Sequence, residues 1–355
     1  MLKKKFSTFF LSVLFCYSTY AKQTLEVIWG DLVIDDPLIE ELIASSAMQR
    51  IKSVDQSGPQ PYFGLLPYFN RYDHSIGVFA LLTKAKVSKN ERIAGLLHDV
   101  SHTVFSHLGD NLFYKDNQNK SYQDTIHLRF LKIMGIGNIV KTRGLSIDQL
   151  NPDSSKYLSL ETPLPSLCAD RIEYNIHTGV ILGNISKSEA KEMVDNLQFV
   201  DNKWFFTDQV IAKKFASLSL FFTKNFWGAP WNTVFYDHFA NILQRAMKLK
   251  LITKKKLHFG IDQDILQKLE NSTDPSLKKL LSSCKEVVKS FSIVDFGKGR
   301  INVKPKFRGI DPLLYYKGQY KKLSEIDSNF RKQFIAVKNW CQKGYGVNTT
   351  PPNNV

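Results

Sequence analysis

The chain has 355 residues, 43% hydrophobic and 23% charged, a composition that excludes a fibre or a disordered polymer and allows one large globular unit or a core with an appended lobe. Its net charge of +15 favours anionic partners such as phosphorylated small molecules, nucleic acid or a membrane surface, although a solvated basic surface carries the same sign. Cys16, Cys168, Cys284 and Cys341 are widely spaced with no C-x-x-C pair, which excludes a disulfide framework and a cysteine zinc site. Cys168 reads as a small buried thiol.

Lys3, Lys4 and Lys5, an apolar run over 6–17 and the small residues Thr19 and Ala21 predict a signal peptide over 1–21. Export, to a periplasm or to the outside, is the expectation; an uncleaved anchor is the alternative. The run is too short to span a bilayer, which takes ~20 apolar residues. Cleavage would remove three lysines and no acid, lowering the net charge from +15 to +12.

Residues 24–34 predict a short hairpin, broken at Gly30-Asp31. Asp36-Pro37 opens a helix through Leu38, Ile39, Leu42 and Ile43, and a second helical run covers 48–54. Three prolines and two glycines make 57–67 a loop. Helices are then predicted over 74–84, over 91–100 with Asn90 as N-cap, over 125–134 and over 166–179. Ser186-x-x-Glu189 is a capping box opening a helix over 186–197. Two more helices, over 208–224 and 233–250, are separated by Gly228-Ala229-Pro230, and Gly260-Ile261-Asp262 caps one over 264–269. Residues 290–308 alternate β-branched and basic side chains, as short edge strands do, and the segment from Thr349 reads as a disordered tail. The fold class is mostly α, with a short N-terminal β-hairpin and minor β additions. Its expected division is a core over 22–200, a helical C-terminal lobe with short strands over 201–345 and a tail over 346–355.

Five of the eight histidines fall between 74 and 127, and three share the window His98-Asp99-Val-Ser-His102-Thr-Val-Phe-Ser-His107, closed by Asp110. Imidazole nitrogens and carboxylate oxygens together suit a divalent metal. On a continuous helix His98 and His102 would share a face. His98 and Asp99 directly follow the apolar run Ile93-Ala94-Gly95-Leu96-Leu97, so they should be buried, and burying such groups unpartnered costs roughly 2–7 kcal/mol for a neutral polar group. A metal removes that cost.

The series Arg71-Tyr-Asp-His74-Ser-Ile-Gly-Val, Leu96-Leu97-His98-Asp99-Val-Ser-His102-Thr-Val-Phe-Ser-His107 and Ala169-Asp170-Arg171-Ile-Glu-Tyr174 resembles the HD-domain nucleotide triphosphohydrolases. Among these it is similar to the deoxynucleotide triphosphohydrolases, bacterial ones and eukaryotic ones carrying a sterile-alpha-motif domain, over about residues 25–340. The resemblance implies an all-helical HD-domain core over 22–200. It implies His74, His98, Asp99 and Asp170 as ligands of a divalent metal (manganese, magnesium, iron or zinc). His102 and His107 would assist proton transfer, with Asp110 orienting one of them. Arg71, Arg171 and Tyr174 would contact phosphate or sugar, and Gln56 the nucleoside. Relatives carry a further His-Glu pair where Gln123-Asp124 stands, and glutamine can bind a phosphate oxygen without shuttling a proton; His127, one turn on, is either a substitute or a core residue. Thr178 replaces a frequent aspartate, and Ser101 a usual glycine.

The expected activity is metal-dependent hydrolysis of a nucleotide phosphate ester, of the deoxynucleotide triphosphohydrolase kind. A phosphatase or phosphodiesterase acting on another phosphorylated small molecule, and a nucleotide-binding protein with little turnover, are the alternatives. The similar proteins assemble into oligomers, so a homo-oligomer is a candidate state. Lys254-Lys255-Lys256 and the spread Arg300, Lys304, Lys306 and Arg308 motivate a nucleic-acid reading, which no recognisable module accompanies.

Overall fold

The computed structural model describes residues 22–113 and 121–349. The expected signal peptide over 1–21 and residues 350–355 of the expected tail lie outside the described residues, whereas residues 346–349 of that tail are not disordered but paired in a strand. Among those described, no helix is long and apolar enough to cross a membrane. Cys168, Cys284 and Cys341 are all buried and unpaired.

The molecule is mostly helical. Strands β1 (Gln23–Val27) and β2 (Gly30–Ile34) form the expected antiparallel hairpin. It packs through Val27, Leu32 and Ile34 into an apolar cluster with the Pro37–Ala44, Lys89–Leu97 and Tyr122–Ile133 helices. A second cluster joins the Arg71–Lys84, Ala169–Ile181, Gln209–Phe222 and Ser328–Lys343 helices. A third joins Phe105 and Leu108 to the Pro230–Lys248 and Asp262–Glu270 helices. Three masses of side chain thus meet around residues 71–108, because the Arg71–Lys84 helix gives Ile76 and Phe79 to the first and Val78 and Leu81 to the second.

The β additions exceed the expectation. Strands β3 (Leu197–Val200) and β4 (Lys203–Phe206) form a hairpin that continues through β7 (Leu313–Tyr316) to β8 (Gln319–Lys322). The division expected after residue 200 falls inside this hairpin. Strands β5 (Phe291–Val294) and β6 (Ile301–Val303) do form in the segment where short strands are predicted, and both pair with β9 (Tyr345–Thr349).

Helix ends differ from the sequence reading where capping chemistry is decisive. The Lys89–Leu97 helix is capped by Ser88, whose hydroxyl accepts from Glu91 N–H at 3.3 Å, and Asn90 lies inside it. That helix ends at Leu97, so His98 to Ser101 form a turn and the expectation of His98 and His102 on one helical face is corrected. The Gln209–Phe222 helix runs on into a π-helical turn, Thr223–Trp227.

Candidate metal centre

Each ligand-type side chain is delivered by an anchored element. Asn70 caps the Arg71–Lys84 helix by accepting from Asp73 N–H at 2.8 Å, which fixes His74 on its first turns. Gly95 lets the next helix press close: a Cβ there would lie 2.2 Å from Leu82 Cδ1. Buried Ile93, Leu96 and Leu97 hold that helix, and its end at Leu97 turns His98 and Asp99 toward His74. Asp170 stands in the first turn of the Ala169–Ile181 helix, where the helix dipole favours a carboxylate.

The four side chains converge. His74 Nε2 lies 3.2 Å from His98 Nε2, 3.0 Å from Asp170 Oδ1 and 3.6 Å from Asp99 Oδ2. His98 Nε2 is 3.5 Å from Asp99 Oδ1 and 3.6 Å from Asp170 Oδ1. The histidines and Asp99 are buried, and Asp170 keeps a quarter of its side chain exposed.

This donor set fits a divalent cation. His98 Nδ1 is hydrogen-bonded to the Gly95 carbonyl at 2.7 Å and His74 Nδ1 to the Glu173 carboxylate, so with the proton on Nδ1 both Nε2 lone pairs face each other. Two lone pairs and two carboxylates facing one point repel unless a positive charge sits among them. Ligands ~2.0–2.2 Å from a common ion stand about 3.0–3.5 Å apart, close to the spacings found. The same demand for positive charge acts on His74: burial pushes its pKa down, yet Glu173, Asp170 and Asp99 outweigh burial and raise it to about 10.

Beside the cluster Arg71 is buried, its guanidinium on Asp99, on Ser106 Oγ at 2.7 Å and 3.4 Å from His107 Nε2. Asp99 is held well below the usual carboxylate range: burial pushes upward, and Arg71, His98 and His102 overcome it. His102 Nε2 sits 3.2 Å from Asp99 Oδ1, and burial first, then Arg71, lowers that imidazole to about 3. His107 is two-fifths exposed, 5.1 Å from the His102 ring, and its Nδ1 lies 3.4 Å from Asp110 Oδ2. Asp110 also accepts from Tyr122 N–H at 2.6 Å. Gln56 presents its backbone carbonyl to Arg71 at 3.4 Å, while its side-chain Oε1 is buried with no hydrogen-bond partner among the described residues.

Other expected residues are occupied elsewhere. Arg171 gives its guanidinium to Glu161 at 2.8 Å, Ser166 O at 3.1 Å and Thr162 Oγ1 at 3.0 Å, closing the loop before Asp170 instead of facing a ligand. Gln123 accepts from Ser101 Oγ and donates to Asp124 at 2.7 Å, so its amide is used internally. His127 is buried against Ser101 Oγ at 2.9 Å, and burial lowers it to about 4, which suits a core residue. Tyr174 is buried, edge-on to Trp227 at 5.1 Å.

Two residues escape the sequence reading. Glu173 bridges His74 to His177, whose Nδ1 lies 2.8 Å away and whose ring stacks on Phe69 at 3.7 Å. Helical spacing carries their signal: Asp170, Glu173 and His177 follow at i, i+3 and i+7 on one face.

No protein-family model matches the chain. It is 33% identical over 323 residues to an uncharacterized protein of Bacillus subtilis, covering 90% of this chain and 96% of that one. It is 26% identical to a metal-dependent phosphohydrolase of Cordyceps militaris, covering 72% and 74% of the two chains. A deoxynucleoside triphosphate triphosphohydrolase homolog of Dictyostelium discoideum is 21% identical, with 72% of this chain and 56% of that one covered. Among solved structures, a phosphohydrolase of Bacteroides thetaiotaomicron superposes with a TM-score of 0.70 at 16% identity, covering 92% and 98% of the chains, and so shares the fold. With a histidine–aspartate cluster suited to a divalent ion and relatives of this kind along most of its length, the chain belongs to the HD-domain metal-dependent phosphohydrolases.

Proposed function

We propose that this hydrolase cleaves a nucleotide phosphate ester, releasing triphosphate from a deoxynucleoside triphosphate, with His74, His98, Asp99 and Asp170 as its metal ligands. The observation that carries the reading is the convergence of four metal-type donors beside a half-exposed histidine–aspartate pair. A divalent metal there would supply an activated water, whose pKa it lowers toward ~7, and a sink for phosphoryl charge. Arg71 binds Asp99 and reaches toward His107, in place to meet a phosphate oxygen. His107 is the proton donor to the leaving oxygen: it is reachable from solvent and backed by Asp110, whereas His102 is buried against Asp99.

The nucleoside part of the reading rests on two acceptors. Gln56 Oε1 and Gln60 Oε1 are both buried without hydrogen-bond partners among the described residues, and Gln60 Nε2 is held on Asn232 Oδ1 at 2.6 Å. Sugar hydroxyls or base amino groups would satisfy them. The triphosphohydrolase homolog of Dictyostelium supports the same substrate class.

The test is metal analysis with product release over a nucleotide panel, comparing residues 22–355 with the Asp99→Ala variant. Expected are bound metal, triphosphate release and loss of both in the variant. Release of orthophosphate or cleavage of diesters instead would move the substrate assignment to another phosphorylated small molecule, and a metal-loaded protein inert on the whole panel would overturn it. Export is part of the proposal, because an exported enzyme would meet extracellular nucleotides. Cell fractionation with N-terminal sequencing checks it, and a cytosolic product beginning at Met1 would refute it.

A further inference from the structure

We propose that Lys306 and Arg308 form a second, lobe-borne phosphate rim over the metal centre, built for a substrate with several phosphate groups. This rests on the phosphohydrolase reading above and adds residues to it.

The two cations stand on an irregular strap over 304–312, between β6 and β7. The strap is pinned along its length. Pro305 is buried on the turn after the π-helical segment, where a Cβ at Gly228 would lie 2.8 Å from Pro305 Cβ. Phe307 packs edge-on to Phe334 at 5.0 Å. Ile310 N–H donates to Ser219 Oγ at 2.9 Å, and Asp311 N–H donates to the Pro165 carbonyl at 3.0 Å. Pro305 and Phe307 therefore alternate as anchors with Lys306 and Arg308 between and beyond them, one exposed and one half-buried.

Both pinning points lead to the site. Pro165 belongs to the loop over 161–166 that takes the Arg171 guanidinium, next to Asp170. The π-helical turn ends in Trp227, which packs on Tyr174 one turn after Asp170. Electrostatics agree with this placement. Burial pushes the Tyr174 phenol up, and Arg308 draws it part of the way back down. Lys306 is lowered first by Arg308 and then by burial, while Glu161 and Asp124 offset them. Glu161 lies within 4.8 Å of Asp170, and Asp124 stands in electrostatic reach of Asp99, so the strap's charges act on groups next to the centre.

Lys306 and Arg308 repel each other, and neither side chain forms a hydrogen bond or ion pair among the described residues. Glu161 and Asp124 offset that repulsion only in part, so an anion placed between the two cations would be stabilised. Arg171, the arginine expected on a phosphate, is spent on its own loop. Arg308 offers the same planar fork for a phosphate oxygen pair, and Lys306 a point charge beside it. A chain of phosphates extending from the metal toward Tyr174 would meet them.

The probe is inorganic tripolyphosphate, titrated calorimetrically into metal-loaded protein beside pyrophosphate and orthophosphate. Lys306→Gln, Arg308→Gln, their double variant and Arg308→Lys are compared with the native chain and with Lys338→Gln. Expected is a loss of tripolyphosphate affinity on the order of tenfold for each glutamine substitution, a smaller loss for orthophosphate, and unchanged metal content and Tm. Arg308→Lys should recover part of the loss. In turnover the double variant should raise KM and leave kcat within about twofold. Native tripolyphosphate affinity in the double variant, or an equal loss for all three anions, overturns the rim. If the native enzyme hydrolyses nucleotides and the double variant matches it in binding and KM, the rim alone fails. If nothing is hydrolysed while the affinities fall as expected, the substrate assignment fails and the rim stands.

Discussion

Glu173 touches no substrate position, yet it decides how His74 presents itself. Its carboxylate accepts from Nδ1 of both His74 and His177, which leaves His74 Nε2 as a lone pair aimed at Asp170 and His98. Glutamine has one acceptor and one donor end, so Glu173→Gln keeps the shape and forces one of the two imidazoles to change tautomer or turn. Outer partners of metal-bound histidines typically contribute 10–100-fold to metal affinity. Metal titration of Glu173→Gln should show a loss in that range with native-like circular dichroism, and native affinity would show that His74 needs no such partner. At this scale the four ligand candidates were legible because their residue types are rare together and follow an apolar run. Arg171 was misplaced for a physical reason: sequence adjacency to Asp170 says nothing about which way a guanidinium is pulled, and Glu161, Thr162 and Ser166 pull it into their loop.

The contact between the Arg71–Lys84 and Ala169–Ile181 helices depends on a missing side chain. A Cβ at Gly77 would fall 2.6 Å from both Cγ and Oε1 of Glu173, so glycine at this place is what lets the buried carboxylate lie against His74. In an open helix Gly→Ala stabilises by about 1 kcal/mol. Here the clash should reverse the sign, costing roughly 1–3 kcal/mol as overpacking does. Gly77→Ala is therefore expected to lower Tm of the metal-free protein and to weaken metal binding, since Glu173 must withdraw. A variant more stable than native with native metal affinity would mean that the helices separate freely and that Gly77 has no bearing on the site. Most elements were readable from period and caps. The end at Leu97 was not, because His98 to His102 keep helix-compatible residue types. What stops that helix is its tertiary setting: the Arg50 guanidinium binds the carbonyls of Val100, at 2.8 Å, and His102, at 2.6 Å. Strand β4 pairs with β7 across more than a hundred residues, and four-residue strands carry too little alternation to announce such a partner.

Across the whole molecule, one aspartate ties the C-terminal half to the loops that carry the site. Asp262 is fully buried and accepts from Phe105 N–H at 2.8 Å, Asp55 N–H at 2.9 Å and the Tyr62 hydroxyl at 3.0 Å. Phe105 and Ser106 have left-handed backbones, with φ of 58° and 52°, a strained pair that this anchor helps to hold beside Arg71 and His107. Burial pushes Asp262 up to about 7 and Asp55 up to about 6, each opposed by its hydrogen bonds. The titratable groups facing Asp262 are Asp55 and Tyr62, with Tyr68 and Arg50 also in electrostatic reach. A raised carboxyl pKa means that the folded chain holds a proton the unfolded chain has released, so this contribution to stability is complete below about pH 4 and is lost as pH rises to about 7. Asp262→Asn stays neutral throughout, at the cost of setting one amide hydrogen against the Asp55 N–H. Native protein should accordingly exceed the variant in Tm by more at pH 5 than at pH 7.5, the gap narrowing by at least about 2 °C. Measuring the difference between the two proteins cancels the histidines that titrate over the same range. A gap that stays constant or widens with pH would show that Asp262 is ionised throughout, and the anchor between lobe and site loops would then be a buried anion held by its three donors alone.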